Sequence, residues 1–129
     1  SRLDGVPKTL PALIRAQRLQ QKAAYVGFDW EEVDPVWDKI HEELSELREA
    51  HSRGNKKHIA EEMGDLFFAL VNLCRFLEIP AEDALRKTNE KFTSRFRLME
   101  KELERRGSSV DGSSLEEMDE IWEAVKKKK

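Results

Sequence analysis

Two short acidic stretches carry the residues best suited to chemistry, Glu43-Leu44-Ser45-Glu46 and Glu62-Met63-Gly64-Asp65. Each sets two carboxylates three residues apart, which on a helix places them on neighbouring turns of one face. Two like charges about 4 Å apart repel by roughly 4 kcal/mol at an effective dielectric near 20. A gathered cluster therefore needs protonation, nearby Lys or Arg, or a divalent cation. Oxygen-only donors suit Mg2+ or Mn2+ rather than Zn2+, and a carboxylate-held Mg2+ usually shares its shell with water and substrate phosphates.

Whether the four carboxylates meet depends on the elements that carry them. At about 100° per residue, Trp37, Ile40, Leu44 and Leu47 make one apolar stripe, with Glu43 at its edge and Glu46 just beyond. Ile59, Leu66, Leu70 and Leu73 make a second, with Glu62 at its edge and Asp65 beyond. The short link Ser52-Arg53-Gly54-Asn55 favours antiparallel packing of the two helices. With Gly54 as the hinge, Glu46 and Glu62 lie equally far from it, roughly 12 Å along each axis at 1.5 Å per residue. Glu43 and Asp65 are also level. The pattern predicts four carboxylates converging at one height, half sunk beside an apolar seam. Against this stands composition: 26 of 129 residues are Asp or Glu, so acidic pairs at this spacing also arise as solvated faces, as at Glu46/Glu49 and Glu120/Glu123. Spacing alone leaves both readings open.

The length fits one domain with a modest core. Charged residues are 38% of the chain and Gly and Pro are few; with regular Leu, Ile and Phe this indicates an all-α protein, a bundle of four to five helices. The net charge of −3 argues against broad nucleic-acid binding. No apolar run approaches membrane-spanning length. The lone Cys74 cannot form an internal disulfide and reads as a small buried hydrophobe, which fits a reducing cytoplasm. The start, Ser1-Arg2-Leu3-Asp4, has no signal core and reads as cut from a longer chain.

Residues 1–8 read as an arm or linker and 9–129 as the helical domain. A first helix is expected from Leu10 to about Val26, capped by Thr9 and ended by Gly27. The aromatics Phe28 and Trp30 could plug the bundle end or stack on a base, and the plug is the commoner use. A second helix runs from Pro35 to about Arg53 with Asp34 as cap. The third, from about Asn55 to Glu78, is apolar nearly all round at Leu66–Val71, which implies burial on several sides and a homodimer contact. The fourth spans Ala81 to Arg106, with Leu85, Phe92, Phe96, Met99 and Leu103 as its stripe. Lys91 and Arg95 project together from it, either as surface cations or as a phosphate clamp. Ser114 with Glu117 makes a capping box for a last helix. Its basic end, Lys126 to Lys129, offsets the helix dipole, and Trp122 with Lys126 could also close over a nucleotide. His41, His51 and His58 read as surface or partner residues.

The chain resembles the MazG family of nucleoside triphosphate pyrophosphohydrolases. The likeness is carried by Gly5-Val6-Pro7, Leu10-Pro11-Ala12-Leu13, Ala16-Gln17, Val26-Gly27-Phe28-Asp29-Trp30, Glu42 to Leu47, Glu61 to Leu66, Asn89-Glu90-Lys91-Phe92 with Arg95-Phe96, and Trp122. It spans essentially the whole chain and is greatest to the second of the two repeats in longer bacterial members. The resemblance implies an all-alpha homodimer that hydrolyses nucleoside triphosphates to monophosphate and pyrophosphate. Glu43, Glu46, Glu62 and Asp65 match the metal-binding and catalytic positions. Lys91 and Arg95 match residues near the phosphates, and Asn89, Trp122 and Lys126 match nucleotide contacts. A carboxylate not used as a direct ligand could take a proton from water, with Glu46 among the candidates. A non-catalytic nucleotide-binding or helical dimerisation module is the alternative.

Overall fold

The computed structural model describes residues 1–128, which form five helices: α1 (Ala12–Tyr25), α2 (Asp34–Arg53), α3 (Lys56–Phe76), α4 (Ala81–Arg105) and α5 (Leu115–Lys127). No strand occurs among the described residues. Lys129, the last residue of the basic end, lies outside them. The chain divides into two compact units, Ser1–Ala84 and Leu85–Lys129.

In the first unit α3 is the central element, packed along α2 and also against α1. The reversal between α2 and α3 is made by Gly54, whose φ of 76° lies in the left-handed region that a side chain disfavours. Asn55 then caps α3, its Oδ1 accepting from the His58 amide at 3.1 Å. The core consists of Val36 and Ile40 from α2 and Ala69 and Leu73 from α3, with Val33, Leu66 and Phe76 against them. The seam therefore lies closer to the acidic edge of each helix than the apolar pattern implied. It buries Val36 and Ala69, while Trp37, Leu44 and Leu70 of the expected stripes are more than 40% exposed. Met63 and Phe67 are exposed as well, so the burial expected around much of α3 is not met within this unit. Val6 is buried, so the segment before α1 contributes a core residue.

Two expected caps differ. Pro11, not Thr9, is the N-cap of α1, and no side chain caps that end. Val33 is the N-cap of α2, with Asp34 its first helical residue, where a negative charge still favours the helix dipole. Gly27 follows the end of α1 with φ of 96°.

The second unit has its own core: Met99 and Leu103 of α4 against Ile121 and Val125 of α5, flanked by Phe96, Val110, Met118 and Trp122. Ser114 caps α5, its Oγ accepting from the Glu117 amide at 3.1 Å.

Candidate metal and nucleotide site

The antiparallel α2–α3 hairpin brings acidic residues from both helices together. Carboxylate atoms of Glu43, Glu62 and Asp65 all lie within 4.8 Å of one another, a set that could hold a metal ion. Glu43 is only 5% exposed, deeper than the half-sunk position expected, because the seam runs beside Val36 and Ile40 on its own side of α2. Glu62 is partly buried and Asp65 exposed, so the trio descends from the surface into the hairpin.

The pairing of the two deeper acids is asymmetric. Glu43 Oε1 accepts from Lys39 Nζ at 3.1 Å, one turn earlier on α2. Glu62 Oε1 meets His58 Nε2 at 3.1 Å, one turn earlier on α3. The other oxygens, Glu43 Oε2 and Glu62 Oε2, are buried and have no hydrogen-bond partner. Carboxylate charges this close repel by about 3 kcal/mol per pair at an effective dielectric near 20, and a buried acceptor without a donor is costly. Two orphaned oxygens beside a third carboxylate fit a hard divalent cation. The spacing that supplies Lys39 and His58 was legible in the sequence, since each stands four residues before its acid.

Glu46 lies outside this trio and is exposed. Partial loss of its hydration, followed by the negative charges of Glu43 and Glu62, nonetheless raises its carboxyl above the ordinary range. It belongs to the same electrostatic neighbourhood, with a side-chain hydrogen bond to Glu62, although it is not one of the three acids within 4.8 Å of one another.

Beside the trio is a groove of about 910 Å³ in the first unit, whose lining includes Lys39, Glu43, Asp65, Gln20, Phe28, Trp30 and Phe68. Phe28 is 83% exposed and Trp30 also faces solvent. The aromatic link therefore does not plug the end of this unit; it forms a groove wall. It is tethered by a bidentate ion pair in which Arg75 donates to Asp29 at 2.6 and 3.0 Å. This pair holds the Asp29 carboxyl below its ordinary range. Sequence reasoning missed Asp29–Arg75 because its partners are 46 residues apart and neither lies in a periodic pattern.

The remaining expected site residues belong to the second unit. Asn89 and Lys91 are exposed on α4, and the Asn89 carbonyl accepts from Thr93 Oγ1 at 2.9 Å. Arg95 is partly buried and its Nε has no partner. Trp122 rests against Phe92 with ring centres 5.2 Å apart. Lys126 is exposed and 3.8 Å from Glu123.

Residues 31–98 match the family described as the MazG nucleotide pyrophosphohydrolase domain. The chain is 47% identical over 129 residues to a nucleoside triphosphate pyrophosphohydrolase of Escherichia coli strain K12, covering 98% of this chain and 49% of that protein. It is 44% identical over 126 residues to the nucleoside triphosphate pyrophosphohydrolase/pyrophosphatase MazG of Thermotoga maritima, covering 98% and 48%. The chain thus spans about half the length of these curated relatives. The matched segment takes in both acidic stretches and the hairpin between them, and on this ground the chain belongs to the MazG nucleotide pyrophosphohydrolase domain family.

Proposed function

We propose that this chain hydrolyses nucleoside triphosphates to the nucleoside monophosphate and pyrophosphate, using Mg2+ held by Glu43, Glu62 and Asp65, with Mn2+ as the second choice. The observation that carries the reading is the pair of buried, partnerless oxygens contributed by Glu43 and Glu62 on facing helices. A divalent cation bound there supplies charge neutralisation at phosphate oxygens and lowers the pKa of water. The protein residues do the rest. Lys39 and His58 orient the two deeper acids. Glu46, exposed and beside the trio, is the candidate to take the proton of the attacking water. Lys91 and Arg95 are proposed to bind phosphate oxygens. Asn89, Trp122 and Lys126 are proposed nucleotide contacts.

The wider arrangement is also part of this reading. The exposed Trp37, Leu44, Met63, Phe67 and Leu70 on α2 and α3 suit burial against a second copy of the chain, giving a homodimer. Residues 1–8 are proposed as an arm that docks on the helical domain of 9–129 through the buried Val6. The net charge of −3 disfavours nucleic acid as a partner. No helix among the described residues is long and apolar enough to cross a membrane. The lone Cys74 suits a reducing cytoplasm, the proposed location.

The test is incubation with a panel of nucleoside triphosphates and Mg2+, with products separated by ion exchange. Monophosphate and pyrophosphate are expected in equal amounts. Diphosphate and orthophosphate would place the cleavage elsewhere. Tight Mg2+-dependent nucleotide binding with no product would identify a binding module instead.

A further inference from the structure

We infer that Gln20 recognises the base: its Oε1 accepts a hydrogen bond from a ring or amino N–H of a nucleobase seated in the groove shared with Glu43 and Asp65. This rests on the hydrolase reading of the acidic trio and extends it from phosphate to base.

Gln20 lies on α1 and is 7% exposed. Its Nε2 donates to the Phe68 carbonyl at 2.9 Å. A carbonyl only accepts, so this bond fixes which end of the amide faces α3. The other end, Oε1, is buried and has no partner. Gln20 nevertheless lines the open groove, so a buried acceptor of set orientation sits where a ligand can reach. Every common base has an N–H to offer it: the amino group of adenine or cytosine, the imino N–H of guanine, uracil or thymine.

The surroundings suit a base rather than a sugar or a phosphate. Phe28 and Trp30 expose their rings along the groove, and Phe68 lies beside them. Aromatic faces stack on any base. Asp29, between the two aromatics in the chain, is clamped by Arg75, whose Nε is in turn held by Asn72 at 3.0 Å. The aromatic wall is therefore set in place before a ligand arrives. The groove volume of about 910 Å³ is ample for a nucleotide. Acids for a metal-bound triphosphate and an acceptor for a base thus line one groove.

The experiment is a set of double-mutant cycles between Gln20 and the base. Wild type and Gln20→Met are compared on ATP and its analogue lacking the 6-amino group, and on UTP and its N3-methyl derivative, with Mg2+ present. Both kcat/KM and Kd are measured. In at least one pair, wild type is expected to lose about tenfold in Kd and KM when the base N–H is removed. Gln20→Met should lose as much on the natural nucleotide and nothing further on the analogue, with kcat within about twofold. Phe28→Ala, at a residue too exposed to threaten folding, should weaken binding of all four nucleotides alike. Equal losses on natural and analogue nucleotides in both pairs would make Gln20 a purely structural residue and overturn the assignment, as would unchanged binding in Phe28→Ala. Coupled binding without any turnover would sink the hydrolase reading and leave the base site standing.

Discussion

In the first unit Glu43, Glu62 and Asp65 bring like charges within 4.8 Å of one another, and two of their oxygens are buried with nothing to bond. In the second unit Glu102 meets Arg105 at 2.6 Å and Arg106 at 2.9 Å on the surface. Glu43, Glu62 and Glu102 each have a basic residue three or four positions away on their own helix, and Asp65 has none. The first arrangement costs stability unless something arrives to complete it; the second is complete as it stands. Crowded acids with buried, unbonded oxygens concentrate at functional sites, whereas a complete surface pair adds little beyond solubility and local helix support.

This contrast can be broken most directly at Glu62. Glu62→Gln is expected to lower turnover about 10²- to 10³-fold while the helical circular dichroism stays unchanged; near-normal turnover would remove the special status of the trio. Next in size is Leu103→Ala in the second unit, where the side chain is fully buried. It should lose about 3 kcal/mol in urea unfolding, a purely structural penalty of the kind that Glu62→Gln should not show. Magnesium sharpens the comparison further. At a hundred times its Kd it should stabilise the wild type by about 2.7 kcal/mol, and far less in Glu62→Gln, whereas Glu102→Gln should respond like the wild type.

The smallest effect is the pH dependence at Glu102. Hydrogen bonds from Arg105 and Arg106 lower its carboxyl from 4.5 to about 2. A depressed acid contributes stability above its unfolded pKa and loses it as pH falls through the folded value. The difference in urea midpoint between wild type and Glu102→Gln should therefore be constant near neutrality, shrink from about pH 4.5 and be lost as pH falls through about 2. A difference that did not shrink at all between neutrality and about pH 2 would mean that the pair does not act through charge.

Much of the site is legible in the residues and their spacing. Glu43, Glu62 and Asp65 can be placed level across the hairpin because helical rise and rotation are regular and Gly54 marks the reversal. Glu46 cannot be separated from them in that way, since the seam's true position beside Val36 and Ala69 decides which acids turn inward. Residue type favours a plug for the aromatic link, but exposure cannot be inferred from type; the Asp29–Arg75 clamp holds the link along the groove instead. Gln20 carries no local signal for a similar reason: its partner Phe68 is 48 residues away.

By itself the sequence determined the five helices, most of their ends and the pairing of two acidic stretches at one height, because periodicity, caps and turns act over a few residues. Tertiary structure alone decided which carboxylate oxygens lose water, which side chains pair across distant segments, and where a groove opens beside the acids. Those outcomes depend on how helix faces are rotated against one another, and a shift of one side chain's width exchanges a solvated charge for a buried one.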